Sequence, residues 1–417
     1  VSTPSSSRSG ADRCPGLLTP FVSADGAMVR LRIPGGRTNA STVAAVSSLA
    51  KDLGDPDITL TSRGSLQLRG LPQPLPRELI TAIGDLDLVP SGAHDKARNI
   101  VADPAPGLDD LVAELDAGLL ADPGLAGLPG RFLLAVAEPD GPVLAQPWDI
   151  AIVDERRPEA RGTGPHDPRG RLEGRGTARV LVDGHSVVVD RADAPRAALD
   201  VARRFLAVRP DERTWNVRDL PASEDADGAT AAQGASRADL LPGGTPFAVA
   251  PGEPPAPGPV GDDLVALVPL GLLTPAMALS LDEVGGVLRR PSSPGGPVSR
   301  LRPEGPSHLD HRVVVTPWRS IVLPGGAEYA DDLAAAGLVT TPDSPWSVLT
   351  ACAGAPSCNR TTTPTRRIAQ EAAPFVDVDG PPVHVIGCDR ACGHPAREHA
   401  ISLNPSCAAD VVAAQRS

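Results

Sequence analysis

The sequence predicts an α+β fold made of two related halves. Three observations carry that expectation: a strand–helix–strand pattern over residues 29–69, its partial return after residue 261, and four cysteines in two short loops near the C-terminus. The first two describe a small unit that buries one sheet face and leaves the other polar. The third gives the chain a chemistry.

Val29, Leu31 and Ile33 alternate with Arg30 and Arg32, the pattern of a strand with one basic face, and Pro34-Gly35-Gly36 ends it. Val43, Val46, Ala50 and Leu53 then line one side of a helix that Gly54 stops. A second extended segment follows, with Ile58, Leu60, Leu66 and Leu68 on one parity and Thr59, Thr61, Arg63, Ser65, Gln67 and Arg69 on the other. Gly64 marks a bend within it. Asp109 and Asp110 sit in the first turn of an amphipathic helix over 108–119, where carboxylates complement the helix dipole. Strands are expected at Phe132–Val136 and Ala178–Val189, and a helix from Asp193 with Pro195 through Leu206. Residues 155–177 are rich in Arg and Gly, and 216–260 in Ala, Gly, Pro and Asp, the composition of a loop and a linker. Beyond it, Leu264–Leu270 and Arg312–Leu323 read as strands, and Thr316-Pro317-Trp318-Arg319 echoes Thr61-Ser62-Arg63, as in a diverged duplication.

A chain of 417 residues with 41% hydrophobic side chains has the length of two or three domains. With aromatic residues at 2%, its cores must be built from Val, Leu, Ile and Ala. A net charge of −12 argues against nucleic acid as partner. Lysine stands only at 51 and 96, so anion binding falls to arginine. No G-x-G-x-x-G follows a strand, and neither a P-loop nor a nucleophile elbow is present, which disfavours a nicotinamide site, phosphotransfer and hydrolysis. The polar stretch Val1–Gly10 lacks the apolar core of a signal peptide, and no run approaches a membrane span, so a cytoplasmic location without membrane contact is expected.

Cys352 and Cys358 form a C-x5-C pair and Cys388 and Cys392 a C-x3-C pair. In a reducing compartment such clustering means metal or redox chemistry more often than disulfides. Two short loops lined by Ala, Gly and Pro suit a [4Fe–4S] cluster, which needs four thiolates aimed at the corners of one body. A structural zinc clip, in a non-catalytic protein, is the alternative, although zinc loops favour shorter spacing than C-x5-C. Cys14 and Cys407 fall outside the constellation and read as inert thiols.

Taken with the repeated halves, these pairs resemble the siroheme and [4Fe–4S] nitrite/sulfite reductase superfamily, and within it the precorrin-3B synthase family. The likeness rests on Arg13-Cys14-Pro15-Gly16-Leu17, Asp25-Gly26, Arg30 to Gly36, Thr61-Ser62-Arg63, Gln67-Leu68-Arg69-Gly70 and Arg98-Asn99-Ile100. It continues through Thr316-Pro317-Trp318-Arg319, Ala351-Cys352 to Cys358, and His384 to Cys392-Gly393-His394-Pro395. It implies ferredoxin-like half-domains at 12–75 and 261–326, an α/β lobe at 90–215 and a cluster-binding α/β lobe at 327–415, with a linker at 216–260. It also implies an O2-dependent monooxygenase acting on precorrin-3A in aerobic cobalamin biosynthesis, with lactone closure. A ferredoxin or an NAD(P)H-dependent reductase would be the separate electron donor.

Arg63 and Arg98 match basic positions of the superfamily over the macrocycle. With Arg30, Arg32, Arg69, Arg131 and Arg319 they are the candidates for gripping tetrapyrrole carboxylates, a task suited to the guanidinium fork. Solvated faces or structural ion pairs are the alternative for each. The resemblance further implies a mononuclear non-haem iron, for which His308, Asp310, His311, His384, His394 and His399 are candidate ligands. Siroheme is left open, and with it a nitrite or sulfite reductase. Where those reductases carry Leu-Pro-x-Lys-Phe-Lys, this chain has Leu128-Pro129-Gly130-Arg131-Phe132-Leu133, one charge short.

Overall fold

The structure, a computed structural model, describes residues 12, 14–156, 176–222, 236–288 and 311–417. Arg13, His308, Asp310 and most of the loop expected over 155–177 lie outside the described residues. The chain divides into two compact units, each assembled from discontinuous segments.

The first unit comprises Val1–Phe21, Val29–Gly36 and Asp87–Pro254. Its centre is a six-stranded sheet in the order Thr245–Pro246, His185–Asp190, Thr177–Val182, Ile150–Asp154, Leu134–Ala137, Ile100–Ala102. The last three strands run parallel and the others antiparallel. The stretch expected as one strand over Ala178–Val189 is thus a hairpin, turning at Asp183 and Gly184, both in the left-handed region. Helices Asp109–Leu120 and Ala194–Val208 contribute Leu111, Leu115, Ala198 and Phe205 to an apolar layer with Ile100, Val136 and Ile152 of the sheet. Phe132 and Phe205 meet there with ring centroids 4.7 Å apart. Of the segment expected as a linker, Leu220, Leu240 and Leu241 are buried in the same layer.

The second unit comprises Val22–Met28, Arg37–Leu86 and Pro255–Ser417. It contains the helix and the hairpin of both halves of the duplication. In the first, helix Ala40–Leu53 leads to strands Ile58–Leu60 and Leu66–Leu71, which pair Thr59 with Gln67 and Leu60 with Leu66. In the second, strand Asp263–Leu267 and helix Pro275–Leu288 lead to Arg312–Val315 and Ser320–Leu323. Each segment expected as one long strand is therefore a tight hairpin. Both turns close alike: Thr61 N donates to Ser65 O at 3.0 Å and Thr316 N to Ser320 O at 2.9 Å. The strands entering the helices repeat a second motif, since Gly35 and Gly36 have φ of 57° and 72°, and Leu270 and Gly271 have 54° and 69°.

The halves also exchange strands. Arg37–Asn39 pairs with Arg312–Val315 of the second half, and Leu272–Leu273 pairs with Ile58–Leu60 of the first. Their helices pack face to face, so closely that a Cβ on Gly285 would stand 3.0 Å from the Cβ of Ala40. The unit is completed by a parallel sheet of Leu349–Ala351, Val383–Ile386 and Ala400–Leu403. Helices Thr365–Ala372 and Ala408–Arg416 cover one face, burying Leu349, Val383, Val385, Ile368 and Val411. No helix among the described residues is long and apolar enough to cross a membrane.

Candidate functional site

Parallel strands place functional loops at their carboxyl ends, and both cysteine pairs follow that rule. Cys352 comes directly after Leu349–Ala351, and Cys388 two residues after Val383–Ile386, its neighbour in the sheet. Cys352 N donates to Val385 O of the neighbouring strand at 2.9 Å, Cys358 N to Gly354 O at 2.8 Å within the first loop, and Ala391 N to Cys388 O at 3.2 Å within the second. Gly354 has φ of 60°, and a side chain there would collide with Thr365 Oγ1. Thr365 in turn donates to Cys352 O at 2.8 Å and lies 3.5 Å from its sulfur.

Burial pushes the Cys392 thiol up, Arg390 pulls it back, and Cys352, Cys388 and Cys358 push it up again. All six cysteines are free, and Cys392 is exposed while the other three of the group are half-buried. Among the described residues no three His, Cys, Asp or Glu side chains pack closely enough to share a single metal ion. Of the six candidate iron ligands, His308 and Asp310 lie outside the described residues, and His311, His384, His394 and His399 form no metal-holding group by themselves. Instead His384 is fully buried, bonded through Nδ1 to Thr350 and through Nε2 to Cys392 O at 3.2 Å, which fixes the ring as a prop for the cysteine loop. Burial, aided by Arg319, drives its pKa down to about 3. His394 and His399 stack beyond it with centroids 5.7 Å apart.

Two arginines stand beside these loops with no carboxylate in ion-pair contact among the described residues. Arg319 occupies the third position after Thr316, where the first half has Gly64, and shares its left-handed backbone: φ is 65° against 62°. Within the matched turns Arg319 therefore corresponds to Gly64. A left-handed arginine costs roughly 1–2 kcal/mol. The Thr316–Ser320 turn holds it, and its Nη2 donates to Gly393 O, next to Cys392. Burial and the nearby Arg366 bring its pKa down to about 10. Arg366, on helix Thr365–Ala372, donates to Thr59 Oγ1 at 3.2 Å, while its Nε is buried without a partner. Burial and Arg69 lower its pKa, and Asp55, Cys352 and Asp57 oppose them. Nothing in the sequence pattern marked Arg366.

The remaining arginine candidates divide between the units. Arg69 clasps Asp25 with two bonds, of 2.9 and 3.1 Å, and donates to Ser357 O at 2.6 Å, so it ties the 23–25 turn to the first cysteine loop. In the first unit Arg98 is clasped by Asp116 at 2.8 and 2.7 Å. Arg32, 2% exposed, donates to Pro15 O, Asp95 O and Cys14 Sγ. The basic face read from the alternation is thus turned inward at Arg32, and these three forks are spent on the protein itself. Arg30 donates to Cys14 Sγ at 3.3 Å. Arg63 is half-buried in its turn. Arg131 is exposed, with Asp12 at 3.5 Å and Trp215 beneath it.

Residues 22–74 match the nitrite/sulfite reductase ferredoxin-like half domain. A precorrin-3B synthase from a Sinorhizobium species is 38% identical over 86 residues, which is 21% of this chain and 18% of that protein. The NADPH sulfite reductase hemoprotein beta-component of Acidithiobacillus ferrooxidans is 36% identical over 89 residues, 21% of this chain and 16% of that one. Each match spans less than a fifth of the relative's own length. The solved NirA protein of Mycobacterium tuberculosis superposes with a TM-score of 0.58 at 15% identity, over 88% of this chain and 69% of that one. A likeness at that identity is one of fold. The α+β architecture with its ferredoxin-like half domain, and the resemblance to both enzyme types, are therefore borne out.

Proposed function

We propose that the chain is a redox enzyme of the precorrin-3B synthase type, a cytoplasmic monooxygenase whose four loop cysteines hold a [4Fe–4S] cluster. The observation that carries the reading is the pairing of those thiols with Arg319 and Arg366. A buried charge with only neutral partners is unfavourable by several kcal/mol, and an anionic cluster between the cysteine loops would relieve it. Thiolates of a cubane bind four different irons and stand wider apart than the ligands of one ion. The C-x5-C spacing of Cys352 and Cys358 lies outside the shorter spacing that zinc loops favour, which supports a cluster over a zinc clip. Such a cluster supplies single electrons when bound.

In the reaction so implied, one atom of O2 enters the precorrin-3A ring and the other leaves as water, with two electrons from a separate donor and two protons. The chain's part is to hold cofactor and substrate. Cys352, Cys358, Cys388 and Cys392 would bind the cluster, His384 and Arg319 brace the loop that carries two of them, and Arg69 braces the other. We assign the grip on substrate carboxylates to Arg63 of the second unit, which lies nearer the surface than Arg69 of that unit. Aerobic incubation with precorrin-3A and a reductant, using isotopically labelled O2, tests the assignment. The product should gain one labelled oxygen atom; an unchanged substrate mass with the cluster fully loaded would overturn it.

The second reading, a siroheme-dependent nitrite or sulfite reductase, has one feature against it. Leu133, at the position of the reductases' second lysine, is fully buried among Val101, Ala135 and Val153 and gives no charge to a cleft. A siroheme band that survives purification would favour it nonetheless.

A further inference from the structure

Arg366 sits where a residue that only stabilised the fold would not need to carry charge. Its helix begins at Thr365, the residue that seals the Cys352 loop, so the guanidinium stem is rooted directly behind the first cysteine pair. Its one described hydrogen bond goes to a neutral hydroxyl, and its Nε is buried and bare. The charged groups around it are Arg69 and Arg319 on one side and Asp55, Asp57 and Cys352 on the other, and none of the carboxylates closes to an ion pair with it among the described residues. Arg69, by contrast, is neutralised by a two-pronged clasp from Asp25.

We propose that Arg366 sets the reduction potential of the cluster held by Cys352, Cys358, Cys388 and Cys392, as a positioning charge that favours the reduced state. The inference rests on the cluster reading above. Its physics is Coulombic: reduction adds one negative charge to the cluster, and a fixed positive charge in a weakly screening interior stabilises the product of that step. The electron comes from the external donor, and no bond at Arg366 forms or breaks. Asp57, partly exposed and facing Arg366, acts in the opposite sense.

The test is a dye-mediated potential titration of the anaerobically reconstituted full chain, read by electron paramagnetic resonance, with iron and sulfide measured on each sample. Arg366→Met should lower the ratio of reduced to oxidised cluster at fixed potential about tenfold, a shift of about 59 mV for one electron. Arg366→Lys should recover most of that ratio, which a purely steric role would not allow. Asp57→Asn, which leaves the helix intact, should raise it. A fully loaded Arg366→Met protein that titrates with the wild type, or an Asp57→Asn protein that shifts downward, would overturn the proposal. Failure of the wild-type chain to take up iron and sulfide would instead overturn the cluster reading itself.

Discussion

Arg191 in the first unit and Arg319 in the second are both almost wholly buried, yet they live in opposite surroundings. Arg191 is met by Asp110 at 2.6 Å and Asp154 at 3.0 Å and donates its remaining edge to Gly107 O. Burial pulls its pKa down, but the two carboxylates outweigh it and hold the group above its ordinary value. Arg319 has Arg366 for a neighbour and, among the described residues, a single carbonyl as its side-chain partner, and its pKa falls. The contrast separates two uses of a buried charge. A completed network fixes a fold; an incomplete one leaves charge that a bound anion could balance.

The largest test removes the proposed ligand. Cys388→Ala should abolish iron and sulfide uptake altogether while far-ultraviolet circular dichroism keeps its wild-type shape; retention of a full complement of both would end the cluster reading. Next in size, Arg191→Met leaves Asp154 buried beside one arginine fewer, and should cost about 3–5 kcal/mol in urea unfolding. The same change should leave iron content per folded chain untouched, which is what distinguishes it from the second unit.

Asp149 sharpens the contrast from the acidic side. It is buried, accepts from Leu133 N, Val217 N and Asn216 Nδ2, and forms no ion pair among the described residues, with Arg218 as the nearby cation. Burial, against those three donors, raises it from 3.8 to about 6. An acid raised on folding binds its proton more tightly in the native than in the unfolded chain, so its contribution worsens as pH rises between about 4 and about 6. Two pKa units correspond to about 3 kcal/mol. Relative to wild type, Asp149→Asn should therefore gain up to about that much stability from the lower end of this window to the upper. An equal difference at both ends would refute the linkage.

The smallest effects concern the matched turns. Gly64→Ala forces a side chain into the left-handed position and should destabilise by about 1 kcal/mol. Arg319→Gly should stabilise the metal-free chain by a similar amount, yet make the reconstituted protein lose iron faster to a chelator. A variant that holds iron as long as wild type would show that the tie to Gly393 does nothing for the loop.

Much of the architecture could be read from residue order because local signals agreed with the fold. The period of Val43, Val46 and Ala50 with Gly54 behind them defines the helix, and the alternation around Leu66 and Leu68 defines the strand. The hairpins were missed for a specific reason. Thr61 to Ser65 and Thr316 to Ser320 continue the alternation of their flanking strands, and an arginine in the left-handed region carries no compositional mark. At the candidate site, cysteine spacing is a property of the chain, whereas the partner of an arginine is a property of the fold. Arg98 and Arg69 look alike in sequence to Arg63; only Asp116 and Asp25, brought in by packing, set them apart. The segment over 216–260 misled by composition, since leucines at 220, 240 and 241 anchor it among Ala, Gly and Pro.

The reciprocal strand exchange bears on how such a chain can be made. During synthesis the edge at Ile58 and Thr59 emerges from the ribosome about 200 residues before Leu272 and Leu273, which cover it. Until then an incomplete half offers a sticky ribbon to any passing polypeptide. The duplicated pair is thus committed to maturing as one body, and severing the chain between the copies would yield fragments that must find each other before either becomes soluble.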